Sequence, residues 1–348
     1  MPLFLKNNII KVLSKRYKIL INYVIGPIVF LWFIYSMYHQ VAQQKDLAKT
    51  WQNIKENFTT TQWIKCFVVF LLMFINWGLE TKKWQILIKE LEQISFVKAF
   101  KAVLTGQSFA LNTINNLGEF VGRALFLKEG NRLKAISLTM VGSLSQVLVT
   151  FILGFIALFF SRILFQENGL GNGGVNAFWY SGLMFVLLIC TVLLSMVYYS
   201  LSWITKAVEK LWFVKRYAFL IQLVENFTTK DLTSILLFSF LRYIVFVVQY
   251  LLLLNVFNVQ ASPMLLALMV CVFLLILAIV PTIALTEMGL RGQISIQLIG
   301  MLSTNTAGIV FTATAIWFIN RVFPALAGSL FMLGIKIFKR QETVTIKH

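Results

Sequence analysis

The stretch Leu117–Leu127, LGEFVGRALFL, carries Glu119 and Arg123 four residues apart inside a chain that is otherwise lipid-soluble. That spacing is one α-helical turn, so both side chains lie on one helix face and can neutralise each other. A second stretch, Leu285–Ile294, LTEMGLRGQI, repeats the spacing with Glu287 and Arg291. What surrounds these pairs decides their meaning. Of 348 residues, 59% are hydrophobic and only 13% charged, and the mean hydropathy is +0.80. A soluble domain runs near half apolar and about a quarter charged. The composition is that of an all-α, polytopic integral membrane bundle whose apolar surface is solvated by lipid.

Thirty-one Lys and Arg oppose 13 Asp and Glu, a net charge of +18. The basic residues sit mostly in short segments between apolar runs. The positive-inside rule accounts for that placement, so no nucleic-acid partner is expected. Anionic cytoplasmic headgroups would meet those segments. Cys66, Cys190 and Cys271 each lie alone in an apolar run, which argues against a disulfide framework or a metal site. The histidines are His39 and His348, so no HExxH and no acid–base histidine pair exists. G-x-S-x-G, P-loop and Rossmann fingerprints are also missing. Neither catalysis by this chain nor a cofactor or metal is expected. The acids outside the apolar runs are scattered among lysines, the pattern of solvated faces.

Along the chain, Met1–Lys18 is basic and reads as a cytoplasmic, membrane-surface segment. Ile19–Tyr38 is an uncleaved first span, too long for a signal peptide. Trp63–Leu79 returns inward. Glu80–Lys101 reads as cytoplasmic, its WQILIKELEQI portion (Trp84–Ile94) as an interfacial helix. Ala102–Leu127 holds two segments, each too short to span, and the parity works if it is a re-entrant hairpin. Leu133–Phe160 then leads out, and Ser161–Phe178, with NGLGNGG, is an outer loop. Trp179–Leu201 leads in, Ser202–Asp231 is basic and cytoplasmic, Leu232–Leu254 leads out and Pro263–Val280 leads in. Pro281–Gly300 must cross outward as a broken helix, or else is re-entrant with a neighbouring span misread. Thr306–Gly334 is the last span, with Arg321 and Pro324 inside it, and residues 336–348 form a basic cytoplasmic tail. The expectation is one transmembrane domain over residues 1–348, with six to eight spans and both termini cytoplasmic, in a bacterial inner membrane.

Thr113-Ile-Asn-Asn-Leu-Gly-Glu-Phe-Val-Gly-Arg123 echoes Pro281-Thr-Ile-Ala-Leu-Thr-Glu-Met-Gly-Leu-Arg291. Both run from Thr-Ile to Glu-x-x-x-Arg with a glycine between. Transporters often carry two related halves with broken helices at matching positions, so an inverted repeat and a chance match are both open readings.

A charge at the bilayer centre costs ~2.5 to 3.5 kcal/mol on insertion scales. Six residues carry that cost here: Glu119, Arg123, Arg242, Glu287, Arg291 and Arg321. Two Glu offset two Arg. Arg242 and Arg321 have no acid in their own spans, so a shared cavity would hold a positive surplus. Arginine's planar fork holds a carboxylate or a phosphate at two points, which makes a lipid phosphate the natural occupant. Other readings stand beside this one. The Glu–Arg pairs could be staples that fix hairpins. Arg242 and Arg321 could snorkel or bond backbone carbonyls, and Pro324 frees one such carbonyl. Asn112, Asn115 and Asn116 read first as helix-end residues and second as cavity lining. Gly118, Gly122, Gly289 and Gly292 read as close-packing or turn positions, not ligand contacts.

Three places resemble the transmembrane domain of bacterial lysylphosphatidylglycerol synthase/flippases and its stand-alone flippase-like relatives. They are NLGEFVGRALFLK, PTIALTEMGLRG, and Arg321-Val-Phe-Pro324 with Gly328. The hydropathy layout fits over nearly the whole chain. The sequence departs at Asn115-Asn116, where many relatives have Pro-Gly, and it holds no counterpart of the soluble aminoacyl-transfer domain. The resemblance implies binding, and translocation between leaflets, of an anionic or polyprenyl-phosphate-type lipid. It also implies an alternative, a non-catalytic membrane subunit that presents lipid to a separate glycosyltransferase or lipid-modifying enzyme. A membrane-embedded transferase ranks below both for want of an acid–base set.

Overall fold

The computed structural model describes residues 35, 52, 59–111, 113, 116–167, 177–200, 227–281 and 284–332. The expected first span Ile19–Tyr38, the basic N-terminal segment, most of 202–231 and the basic tail lie outside the described residues. What is described is helical: α1 (Thr60–Leu87), α2 (Phe96–Ala110), α3 (Gly118–Ala124), α4 (Glu129–Glu167), α5 (Ala177–Tyr199), α6 (Thr229–Val256), α7 (Pro263–Ile279), α8 (Ala284–Ile299), α9 (Thr306–Trp317), a π-helical turn (Phe318–Val322) and α10 (Phe323–Met332). Among the described residues, five runs are long and apolar enough to cross a membrane: α1, α4, α5, α6 and the continuous α9–α10.

The frame is the antiparallel pair α1–α6. Lys65 Nζ donates to Asn255 at one end, Gln249 to the Val69 carbonyl further along, and Lys89 pairs with Asp231 at the other end. From Asp231 to Asn255 the helix rises ~36 Å, enough for a hydrocarbon core of ~30 Å. A Thr228–Asp231 capping box starts α6, satisfying backbone N–H groups that lipid cannot. The apolar packing forms two clusters. On α6 the change from one to the other falls between Ile235 and Tyr243, where Ser239 and Arg242 lie.

Two hairpins enter this frame from opposite ends. The first, α2–α3, starts beside the end of α1, where Gln85 donates to the Ile94 carbonyl and Ser95 caps α2. α2 rises ~22 Å and stops short of a full crossing. Its return is built by Thr113, whose hydroxyl meets the Phe109 and Ala110 carbonyls and accepts the Gly118 N–H at 2.7 Å. Asn116 takes φ 59°, the left-handed backbone that Asn tolerates and Gly favours. Asn116 therefore does a glycine's work in this turn.

The second hairpin, α7–α8, starts at the other end. Asn305, after α8, donates to the Phe257 and Asn258 carbonyls just before α7. Its break at Pro281 separates limbs of ~25 Å and ~24 Å. Pro281–Gly300 is therefore the return limb of a hairpin that leads back to the end at which α7 starts, not an independent crossing. Both Glu119 and Glu287 occupy the first turn of a return helix, where the helix dipole favours an anion.

One expected boundary is corrected. α1 does not end at Leu79 but runs to Leu87, with Thr81, Lys83, Trp84 and Leu87 buried. The WQILIKELEQI segment is thus partly the end of a packed spanning helix, not a helix lying on the interface. Asn76, Glu80 and Lys83 recur at helical spacing, so one polar stripe of α1 faces α6.

Candidate functional site

Glycine lets the first hairpin close. A Cβ at Gly106 would lie 2.9 Å from Arg123 Cγ, and one at Gly122 would lie 2.8 Å from Gly106 Cα. Without side chains at either position, α3 lies on α2 and Arg123 is carried toward α1. A Cβ at Gly328 would strike the Leu104 carbonyl, so α10 packs on α2 by the same device. Thr105 and Ser108 bond the Gly328 and Ala325 carbonyls along that seam. The close-packing role read for Gly118 and Gly122 is what the structure shows, and Gly289 and Gly292 are buried on α8.

These contacts bring Glu80 to the centre of a cation cluster. Its carboxylate is 4% exposed. Oε1 accepts from Arg123 Nη1 at 2.8 Å, while Oε2 meets Lys83 Nζ at 2.8 Å and also accepts from Arg242 Nη1. Arg123 also pairs with Glu119. Lys83 donates further to the Gly142 carbonyl and Ser239. Arg242 Nε bonds Asn76 Oδ1 at 2.8 Å, and its guanidinium lies 5.4 Å from the Trp77 ring centre. Arg242 neither snorkels nor stands unpaired. Its acid sits on a neighbouring helix, in a segment the sequence reads as cytoplasmic. Glu80 is the correction to the expectation of solvated acids.

The second hairpin supplies the other half. Arg291 Nε and Nη2 hold Glu287 Oε1 at 3.0 and 2.6 Å, and Nη1 reaches the Tyr250 hydroxyl at 3.5 Å. Arg321 joins the halves: Nη1 donates to Gln107 of α2 at 3.1 Å and Nη2 reaches Glu287 of α8 at 3.5 Å. It does not bond a carbonyl freed by Pro324. The helix widens into the π-turn just before Pro324, where the Phe323 N–H reaches the Phe318 carbonyl. Turns of this kind recur at functional sites. Asn320, beside Arg321, extends the network by donating to Gln249, and Asn76 donates to Asn320 at 3.5 Å.

A cavity of about 340 Å³ opens among these groups. Its polar wall includes Glu80, Lys83, Arg242, Arg291 and Arg321; its apolar wall includes Leu274, Leu277 and Ala278 at the end of α7. Gln107, Asn116 and Glu119 close it from the first hairpin. All six residues singled out by the sequence therefore fall in one region. Glu119, Arg242, Arg291 and Arg321 line the cavity, while Arg123 and Glu287 stand behind it as their ion-pair partners. Around the cavity, among the described residues, Lys83, Arg123, Arg242, Arg291 and Arg321 face Glu80, Glu119 and Glu287, a surplus of two positive charges. Counting only the lining residues leaves the same surplus. Trp77 and Trp317 belong to the cavity lining, and their indole N–H groups are buried without an acceptor, as is Arg123 Nε behind it.

Neither the curated proteins nor the solved structures yield a match. The family model described as the lysylphosphatidylglycerol synthase TM region matches residues 19–328, taking in both hairpins, the π-turn and every residue of the charged cluster. With its membrane-crossing helices, this multi-pass membrane protein belongs to the lysylphosphatidylglycerol synthase transmembrane-region family.

Proposed function

We propose that the chain binds the anionic headgroup of a membrane lipid in this cavity and carries it between leaflets, without itself catalysing a reaction. The observation that carries this reading is the positive surplus held at mid-bundle depth. An uncompensated charge there is expensive, so an arrangement that retains two calls for an anionic occupant. Arg242, Arg291 and Arg321 present guanidinium groups to the cavity, and the two hairpins flank it from opposite ends, an arrangement suited to alternating access. The apolar wall at the end of α7 suits the neck of a lipid. We place the Asp231 end toward the cytoplasm of a bacterial inner membrane, since the basic segments cluster on that side of the spans.

The test is leaflet exchange of labelled phosphatidylglycerol and phosphatidic acid in liposomes reconstituted with the purified protein. Exchange that is lost in Arg242→Gln/Arg321→Gln supports the reading. No exchange with either lipid overturns it as transport. Retention of lipid on the purified protein without exchange turns the assignment to the second reading, lipid presentation to a separate glycosyltransferase or lipid-modifying enzyme.

A further inference from the structure

From the charge and donor inventory of the cavity we infer that its occupant bears a phosphate with two negative charges: a terminal phosphomonoester or diphosphate, not a phosphodiester. The inference rests on the lipid-binding reading above and narrows its substrate class. Charge decides first. A phosphodiester neutralises one of the two surplus cations and leaves the other buried without a counterion. A doubly ionised terminal phosphate neutralises both, which is the cheaper state in a low-dielectric site.

The donors point the same way. Among the described residues the cavity wall has more N–H groups than acceptors. The Arg321–Glu287 contact is stretched to 3.5 Å, as is that of Arg291 Nη1 with the Tyr250 hydroxyl. A terminal phosphate offers three acceptor oxygens, where a diester offers two that are unesterified. An aminoacylated or amine-bearing headgroup would add N–H donors to a site already short of acceptors. It would place an ammonium beside Lys83 and Arg242, whose nearby carboxylates are already engaged. The space is adequate, since about 340 Å³ lies at the lower end of ordinary ligand cavities, ~300–1,000 Å³.

The second ionisation of a phosphomonoester falls near pH 6, so the inference has a pH signature that belongs to the ligand. The charged and titratable groups facing it are Glu80 and Lys83 on α1, Glu119 on α3, Arg242 and Tyr243 on α6, Arg291 on α8 and Arg321 on the π-turn. The second ionisation of the headgroup is the charge step that the experiment varies.

The experiment uses the full chain in lipid-depleted nanodiscs and measures binding of phosphatidic acid and phosphatidylglycerol at pH 5 and pH 8. Phosphatidic acid is expected to bind about tenfold more tightly than phosphatidylglycerol at pH 8, and to lose most of that advantage at pH 5, as one buried charge–charge contact is removed. Arg321→Gln, at the most exposed cation of the cluster, is expected to reduce the preference for phosphatidic acid at pH 8. Equal binding of the two lipids, or a preference that does not change with pH, overturns the dianion assignment and leaves anionic-lipid binding standing. Failure of both lipids to bind overturns the underlying reading with it.

Discussion

Glu80→Gln separates the buried hub from a solvated acid. In the structure one carboxylate oxygen serves Arg123 and the other serves Lys83 and Arg242. An amide keeps one acceptor and turns the other into a donor. Whichever way it orients, at least one cation faces an N–H, and the cluster loses its central negative charge. Each charge-assisted hydrogen bond contributes ~1.5–3 kcal/mol, and stranding buried charges raises the total to ~3–5 kcal/mol. Were Glu80 on a solvated face, the change would cost no more than ~1 kcal/mol. For a chain of this size the larger cost lowers the thermal midpoint on the order of 5–10 °C. Thermal unfolding of purified protein in detergent, followed by tryptophan fluorescence, reads the shift. Glu119→Gln removes one partner of Arg123 at a more accessible position and is expected to cost about half as much. Glu80→Gln/Arg242→Gln is expected to recover part of the loss, because it removes a stranded cation along with the hub. A midpoint for Glu80→Gln within about 1 °C of the parent, or no worse than that of Glu119→Gln, refutes the hub.

Gly122→Ala forces a Cβ to 2.8 Å from Gly106 Cα and is expected to destabilise by ~1–3 kcal/mol in the same assay. Gly130→Ala, where no atom lies within 4 Å, is expected to be neutral or slightly stabilising. Glu92, in the turn between α1 and α2, is partly buried, which raises its pKa, but hydrogen bonds from the Lys128 backbone N–H and the Lys98 ammonium prevail and lower it. A lowered carboxylate pKa contributes stability above the unfolded value, ~4.3, and that contribution is lost as pH falls through the folded one. Glu92→Gln is accordingly expected to cost under ~1 kcal/mol at pH 7, and the cost to vanish as pH falls through the folded pKa, read as converging thermal midpoints.

The helical membrane class was legible from composition, because lipid selects for apolar surface regardless of sequence detail. The first hairpin was legible too, since its two segments are each too short to span; the second reads as a span followed by a broken, outward-crossing helix, with re-entry as the alternative. The centre was not legible. Glu80 and Lys83 lie next to Lys82, Lys89 and the acids after them, and a sliding reading of hydropathy groups all of these with the interface. Helical phase could have separated them. Asn76, Glu80 and Lys83 fall on one face of α1, and Ser239, Arg242 and Gln249 fall on one face of α6. Two matching polar stripes on apolar helices are the signal for a buried polar seam. The π-turn left no such trace. Pro324 reveals a missing hydrogen bond, but whether the helix kinks, breaks or widens depends on the neighbours.

Arg321 holds the last lever, because it bonds both hairpins and does so loosely. Its contacts of 3.1 and 3.5 Å are longer than the 2.6 Å contact within the Glu287–Arg291 pair and the 2.8 Å contact of Arg123 with Glu80. Relative movement of the hairpins therefore breaks the least at this joint. Gln107→Leu removes the link to α2 and leaves one Arg321 N–H without a protein acceptor. The free protein is expected to lose ~1–3 kcal/mol, the cost of an unpaired buried donor. An anionic lipid that takes up that donor should recover the loss, so the stabilisation produced by saturating lipid is expected to grow in Gln107→Leu, while in Arg321→Gln it shrinks. The two substitutions disturb the same hydrogen bond from opposite sides, so a purely structural role for Arg321 would move both in the same direction. A smaller lipid-induced shift in Gln107→Leu than in the parent would show that Arg321 serves to hold the hairpins together and does not offer its guanidinium to a ligand.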